Sequence, residues 1–255
     1  MDRKVLFGAG CRISDALHQG SGQFERGNDW IRMDWDRTQY SESLSILMKQ
    51  QYQSIEAELS LIGDPLGSQP HQVVFPSFKQ RPLFTQKLAG IPVSGKIRGL
   101  FKDGKEYHLD PAVSHAVIDH TIGYHDYHWC WRWASLACRS ESAVIGVNLV
   151  EPVTDPEINE NAIWINGRRI VVGEAVFEYS DQDLMAGWTI RSADDLIQLQ
   201  FKPITRRRED LNFGIVQSCF TQLIGLYNGQ IRLPSGENHR IQQQYGLAEK
   251  HAARW

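Results

Sequence analysis

Short alternating segments joined by two-residue turn signals constrain the fold of this chain more than any other feature. Asn, Asp and Gly tolerate the positive φ values that a two-residue hairpin turn requires. The turn dipeptides and the segments that flank them are Asp103-Gly104 between 97–102 and 105–109, Asn166-Gly167 between 162–165 and 168–172, and Asn228-Gly229 between 222–227 and 230–233. The sequence therefore predicts three antiparallel hairpins.

Period-two alternation predicts further strands. In residues 54–62, Ile55, Ala57 and Leu59 share one face and charged or polar side chains occupy the other, which is typical of a half-buried strand. Further segments rich in strand-forming residues are 143–150, 175–179, 187–191 and 196–201. Helical periodicity is scarce, and the modest candidates are 13–17 and 240–254.

Many short strands with tight turns favour an all-β fold, an antiparallel barrel or sandwich with few short helices. We expect a single β unit over residues 1–255. A candidate sub-boundary lies near residue 110, where Pro111 follows a predicted hairpin and separates 1–110 from 111–255. One continuous β unit and two fused barrels both remain open.

The amino-acid composition limits which binding partners and which cellular location are expected. The formal net charge is −3, which gives no electrostatic reason to expect nucleic acid. No segment approaches the ~20 consecutive apolar residues of a transmembrane helix, and the first residues lack the apolar core of a signal peptide. We therefore expect a cytoplasmic protein. Its four scattered cysteines are expected to be buried thiols that form neither a disulfide framework nor a zinc site, and its oligomeric state is left open.

The segment from His115 to Ser135 is the strongest candidate for a binding surface. Trp129, Trp131 and Trp133 alternate along it, so an extended strand would place all three indoles on one face. A core strand would use aliphatic residues there, whereas flat aromatic surface beside titratable groups is typical of a pocket wall. Asp119, His125 and Tyr127 share the same nominal face. Asp119 and His125 are the predicted acid–base residues and Tyr127 a predicted ligand contact.

A metal site is not predicted, although the same segment holds His115, His120, His125 and His128. Period-two geometry places His115 and His125 on one face and the other two histidines on the opposite face, and no HExxH pattern is present. Glycine-rich phosphate loops and a GxSxG nucleophile motif are absent as well. We therefore predict no cofactor.

Two further groups of polar residues are candidates. Glu160 lies between two asparagines and just before a strand that begins Ala-Ile-Trp; Glu160 is a predicted catalytic carboxylate, with Asn161 and Trp164 as ligand contacts. The segment 246–255 carries Glu249, His251 and Arg254, which are predicted to bind ligand from a docked terminal segment.

The order and spacing of several motifs resemble the DUF2804 family. The motifs are Gly123-Tyr124, Trp131-Arg132-Trp133-Ala134-Ser135, Val147-Asn148-Leu149, residues 160–164, Phe201-Lys202-Pro203, residues 222–229 and the ending Glu249-x-His251-Ala252-x-Arg254-Trp255. The resemblance covers residues 116–255 well and the first hundred loosely. It implies a β-rich, calycin-like architecture, distantly similar to lipocalin-like two-barrel proteins related to carotenoid hydratases, and it assigns no activity.

Three functions fit the candidate residues. The first is acid–base chemistry, such as hydration or isomerisation, on an apolar small molecule. The second is non-catalytic binding of an apolar or amphipathic ligand in the same pocket. The third is a carbohydrate-active enzyme in which tryptophans stack on sugar rings and Glu160 and Glu249 form the carboxylate pair. The sequence places the enzyme slightly ahead of the pure binder.

Overall fold

The computed structural model describes ten segments of the chain. These are residues 12–13, 19–26, 29–37, 41–50, 53–62, 68–75, 82–99, 105–124, 126–152 and 158–254. In the strands before residue 57, and at residues 61–62, only the backbone is described.

The described residues form eighteen β-strands and no helix. The first nine strands are β1 (Arg12–Ile13), β2 (Gln19–Arg26), β3 (Asp29–Arg37), β4 (Ser41–Gln50), β5 (Gln53–Ile62), β6 (His71–Phe75), β7 (Leu83–Arg98), β8 (Glu106–Leu109) and β9 (His115–Gly123). The other nine are β10 (His128–Arg139), β11 (Val144–Glu151), β12 (Ala162–Ile165), β13 (Arg168–Val171), β14 (Ala175–Glu178), β15 (Trp188–Ser192), β16 (Ile197–Asn212), β17 (Gln217–Arg232) and β18 (Asn238–Arg254). The predicted all-β, antiparallel class is confirmed. Nothing in the described part of the chain is a helix long and apolar enough to cross a membrane.

The chain divides into two compact units, and each unit is built from two separate segments. The first consists of Met1–Gly67 and Ile91–Ala116, and the second of Ser68–Gly90 and Val117–Trp255. Strand β7 passes from the second unit into the first. The sequence prediction of a single unit with a sub-boundary near residue 110 stays a prediction.

The first unit is built on an antiparallel meander of β1 to β5. β5 then pairs with the second half of β7, from Glu56 opposite Arg98 to Leu61 opposite Val93. The predicted alternation of residues 54–62 is present in β5, where Ala57 is buried and Glu58 and Ser60 are exposed.

The second unit holds a nine-stranded antiparallel sheet, counted over the described residues, with the order β13-β12-β11-β10-β18-β17-β16-β15-β14. One face of this sheet packs an apolar core. The largest fully buried side chains of that core include Trp188, Tyr227, Phe201, Leu223 and Ile231. Burial of each side chain of this size stabilises the folded state by roughly 1.5–3 kcal/mol. This face therefore stabilises the sheet, and polar side chains can occupy the opposite face.

The three hairpin predictions have different outcomes. Asn166-Gly167 is a two-residue turn with φ values of 50° and 81°, as predicted. Asp103-Gly104 lies outside the described residues, although the flanking strands β7 and β8 pair antiparallel. Asn228-Gly229 is not a turn, since β17 continues through it to Arg232 and the register with β18 shifts there. A Cβ on Gly229 would lie 2.1 Å from the Gln198 carbonyl oxygen, so this glycine permits a bulge with close backbone approach.

The helix predicted over residues 240–254 is wrong, because these residues lie in strand β18. β18 lies between β10 and β17 and pairs with both along most of its length. Pairing with β17 along nearly the whole strand, and with β10 from Gly246 to Arg254, overrides the modest helical periodicity of the segment. Of the other predicted helix, residues 14–17 lie outside the described residues, and Ile13 belongs to β1.

Candidate functional site

The aromatic wall predicted from the sequence is one face of β10. Period-two geometry directs Ala134, Leu136 and Cys138 into the apolar core. Trp129, Trp131 and Trp133 are on the opposite face. Because β10 pairs in register with β18, Trp131 lies directly opposite His251 and Trp133 directly opposite Glu249. Strand pairing therefore places a carboxyl group from the far end of the described chain beside the indoles.

A second wall is the first half of β7. Its burial alternates strictly, with Leu83, Thr85, Lys87 and Ala89 buried and the residues between them partly exposed. Ala89 packs with Ala162 and Trp164. Gly146 of β11 lets the two backbones approach, since a Cβ there would lie 2.4 Å from the carbonyl oxygen of Ala89. Through this contact the first half of β7 packs against the nine-stranded sheet.

These walls enclose a cavity of about 410 Å³ within the second unit. That volume lies in the range of small-molecule sites, roughly 300–1,000 Å³. Its described lining combines apolar and aromatic side chains with titratable ones: Phe75, Leu83, Thr85, Lys87, Asp119, Thr121, Asp126, His128, Trp129, Cys130, Trp131, Trp133, Val150, Pro152, Glu160 and Glu249.

A buried lysine connects two of the lining carboxylates. Lys87 Nζ donates to Asp119 Oδ1 at 2.5 Å and lies 3.5 Å from Glu160 Oε2. The Lys87 side chain is 7% exposed and that of Glu160 15%. Thr85 Oγ1 also donates to Glu160 Oε2, at 2.8 Å. Buried charges are tolerated when they are paired and hydrogen-bonded, which is the case for this group.

The backbone around Glu160 is fixed by buried hydrogen bonds. Trp133 Nε1 donates to Asn148 Oδ1 at 2.8 Å, and Asn148 Nδ2 donates to the Glu160 carbonyl at 2.8 Å. His71, directly opposite Lys87 in the β6–β7 pair, donates from Nε2 to the Asn159 carbonyl at 2.7 Å. Burial lowers the pKa of His71, which favours its neutral form. The aromatic wall and Glu160 are thus held in one network.

Glu249 lines the cavity and has a raised pKa. Desolvation by burial raises its pKa above the ordinary 4.5, and the nearby charge of Asp119 acts in the same direction. Gln222 Nε2 donates to Glu249 Oε1 at 2.7 Å, and Trp131 Nε1 approaches Oε2 at 3.4 Å. These two bonds and the charge of Lys87 act in the opposite direction but do not cancel the effect of burial.

A carboxyl with a raised pKa beside carboxylates paired to a lysine can supply a proton donor and a proton acceptor within one site. Aromatic and apolar walls around such groups limit the access of water. These features define a class of protein: an all-β protein whose antiparallel sheet carries a cavity of about 410 Å³ lined by tryptophans and carboxyl groups.

Comparison with protein families identifies the family of the chain but assigns it no function. The model of the family described as Domain of unknown function (DUF2804) matches residues 2–255, and the chain belongs to this family. The match spans the first hundred residues as well, where the resemblance of individual motifs is loose. No curated protein matches the chain.

The structure brings six of the predicted site residues to the cavity. They are Asp119, Trp129, Trp131, Trp133, Glu160 and Glu249. Asp119 comes from β9 and the tryptophans from β10, so they reach the cavity from two strands rather than from one continuous strand. His251 lies next to this group, with its buried ring edge-on to Trp131 at 4.1 Å and its Nε2 2.8 Å from Ser218 Oγ.

Four other predicted residues are not among the described residues that line the cavity. Tyr127 is exposed and donates to the Ile215 carbonyl at 3.4 Å. Asn161 and Trp164 are fully buried and bind backbone: Asn161 Oδ1 accepts from Val150 N, and Trp164 Nε1 donates to the Gln69 carbonyl. Arg254 donates to the Gly214 carbonyl and lines a different groove. His125 lies outside the described residues.

Sequence reasoning missed Lys87 and Thr85. Both lie in a segment, 83–93, in which every second residue is otherwise Leu, Ala, Ile or Val. Polar residues at the buried positions of an apolar alternation are a signal that could have found them, because burial without a partner is costly. Their partners Asp119 and Glu160 are 32 and 75 residues away.

Proposed function

We propose that this protein is an enzyme that performs acid–base chemistry, of the hydratase or isomerase type, on a largely apolar small molecule. The observation that carries the proposal is Glu249, a buried carboxyl group with a raised pKa that faces the same cavity as the paired carboxylates of Asp119 and Glu160. A single site then holds a group suited to donate a proton and groups suited to accept one.

The roles follow from the contacts. Glu249 is the proton donor, positioned by Gln222. Asp119 is the proton acceptor, since its side chain is 36% exposed and accessible to a ligand, whereas Glu160 is held by Thr85 and Lys87. The tryptophans cover the apolar part of the substrate and stabilise positive charge that develops on it. His125 has no role in this proposal.

Solvent deuterium provides the test. The purified protein is incubated in D2O with an extract of cellular small molecules. The small molecules are then transferred to H2O, which removes exchangeable deuterium, and are analysed by mass spectrometry. Isomerisation leaves a carbon-bound deuterium in the product, and hydration adds water together with one carbon-bound deuterium. We expect labelled product with the wild type and at least a 100-fold lower rate with Glu249→Gln, since loss of a general acid costs typically ~10²–10⁴ in rate.

The matched control is Glu141→Gln, the same chemical change at an exposed residue of the β10–β11 turn. It should label at the wild-type rate. Wild-type protein that binds a molecule from the extract but introduces no deuterium would contradict the enzymatic proposal and would instead support a binder of an apolar or amphipathic ligand.

One observation favours a second candidate, a carbohydrate-active enzyme. Glu160 and Glu249 line the same cavity, together with three indoles on which sugar rings could stack. In this case both Glu160→Gln and Glu249→Gln should abolish hydrolysis of an aryl glycoside panel. Hydrolysis by neither the wild type nor the variants would eliminate this candidate.

The finer structural and cellular assignments also belong to the proposal. We propose that the second unit is related to calycin- and lipocalin-like barrels, supported by its nine-stranded antiparallel sheet, as counted in the described part of the chain, with a ligand-sized cavity on one face. A cytoplasmic location and the lack of a nucleic-acid partner are proposed from the sequence, with the modest net charge of −3 as support.

A further inference from the structure

The charge of the cavity lining is unbalanced. Four acidic side chains line it, Asp119, Asp126, Glu160 and Glu249, against the single ammonium of Lys87 among the described lining residues that are lysine or arginine. Lys87 is already bound to Asp119 and close to Glu160. One ammonium group therefore faces four carboxyl groups in the described lining.

The position of Glu249 indicates how this imbalance acts. Its pKa is raised in part by the charge of Asp119, so the two carboxyl groups are close enough to repel each other when both are ionised. A positive charge placed between them would remove that repulsion. A carboxylate or phosphate ligand would increase it.

The aromatic wall fits the same ligand chemistry. Trp129, Trp131 and Trp133 line the cavity opposite β7, and Trp131 Nε1 contacts Glu249. Indole rings attract cations through their π faces, most strongly where the site excludes water, and quaternary ammonium groups are recognised by clusters of such rings.

We infer that the cavity takes a ligand whose apolar body carries an ammonium group, with the cation between the carboxylate of Asp119 and the indoles of β10, near the carboxyl group of Glu249. The inference rests on the proposed function, because it names the ligand class of the same site. The inferred ligands are cationic amphiphiles. Neutral apolar molecules and neutral sugars are excluded by their lack of charge, although the cavity volume alone would admit them.

An isosteric pair of probes tests this inference by binding alone, without turnover. The pair is (3-hydroxyphenyl)trimethylammonium and 3-tert-butylphenol, which share shape and hydroxyl group and differ in charge. Isothermal titration calorimetry of the wild-type protein at pH 7 and low salt should give at least about tenfold tighter binding of the ammonium probe. 3-Hydroxybenzoate, with a negative charge at the same ring position, should not bind measurably.

Two variants locate the effect. Asp119→Asn and Asp126→Asn, which each remove an acidic side chain from the cavity lining, should each reduce the preference for the ammonium probe to about threefold or less. Glu141→Gln, which removes a negative charge outside the cavity, should keep the full preference. A variant that fails to fold is replaced by the other, and circular dichroism checks both.

The inference is overturned if the two isosteres bind equally to the wild type, or if cellobiose binds more tightly than the ammonium probe. Either result leaves the deuterium experiment unaffected, since that experiment needs no knowledge of the ligand. Conversely, a preference for the ammonium probe without deuterium incorporation would retain the ligand class and reject the catalytic proposal.

Discussion

Glu249 shows how the neighbouring strands change the chemical properties of a single residue. On the sequence it is one acidic residue near the end of the chain, but strand pairing places it opposite Trp133 and Gln222, and burial raises its pKa. A carboxyl of this kind makes a specific contribution to the pH dependence of stability.

We predict that Glu249 lowers the stability of the folded protein at neutral pH and that Glu249→Gln abolishes this effect. Below the ordinary pKa of 4.5 the carboxyl is protonated in the folded and unfolded states, so it imposes no penalty. As the pH rises through the raised folded-state pKa, the unfolded state gives up its proton more readily and the folded protein loses stability. The free energy of unfolding, measured in urea at several pH values, should fall more steeply with pH in the wild type than in Glu249→Gln.

Parallel pH profiles for the wild type and Glu249→Gln would show that Glu249 titrates at its ordinary value and is not desolvated. Glu141→Gln serves as the control, because it makes the same chemical change at a residue of an exposed turn.

The individual site residues differ in how far the sequence could identify them. The three indoles were predictable because alternation on one strand sets their common face. Asn161 and Trp164 share the neighbourhood of Glu160 on the sequence, yet both are fully buried and bind backbone atoms. Whether a polar residue faces a cavity or the core depends on which strand packs above it, and that is not encoded in local spacing.

At the scale of elements, the seating of β7 on β11 positions Lys87 at the cavity. Ala89 and Gly146 form the contact, and a Cβ on Gly146 would lie 2.4 Å from the Ala89 carbonyl oxygen. A distance this short cannot be accommodated unless the backbones separate.

We therefore predict that Gly146→Ala destabilises the protein by about 1–3 kcal/mol, the usual cost of an overpacked interior position. It should also weaken binding of the ammonium probe, because Lys87 and Thr85 would move with β7. Gly187→Ala is the matched control: its nearest neighbour lies 3.8 Å from the added Cβ. Chemical denaturation of the two variants tests this expectation, which fails if Gly146→Ala unfolds at the same urea concentration as the control.

The strands themselves were largely predictable from alternation, and the errors have identifiable physical causes. β16 was expected to end at Phe201 but continues to Asn212, because a bulge at Pro203 preserves pairing beyond the proline. The segment over 240–254 was expected to be helical, yet it has partners on both sides in the sheet. Long-range pairing decided each of these cases.

At the scale of the whole molecule, protection from hydrogen exchange should follow the order of the nine-stranded sheet, which is counted over the described residues. β17 has a partner on each side, whereas β13 pairs with β12 alone in the described part of the chain. Centrally placed strands exchange through global unfolding and edge strands through local opening.

We predict that amides of residues 223–231 exchange at least ~10-fold more slowly than those of 168–171, after correction for intrinsic rates. Deuterium exchange of proteolytic peptides measures this difference. Equal protection in the two segments would mean that the sheet opens as one unit and that its edge is not a weak point.

Because β18 lies between β10 and β17, the nine-stranded sheet, as counted over the described residues, cannot form completely until residues 238–254 have been synthesised. At roughly 5–20 residues per second, Glu249 is added on the order of ten seconds after Lys87, about 160 residues later. From the completion of β17 at Arg232 until β18 is added, β10 and β17, the sheet neighbours of β18, each keep one unpaired edge. A ribosome that stops between residues 232 and 238 therefore releases a chain with two open strand edges, and we expect such chains to be bound by chaperones or to aggregate.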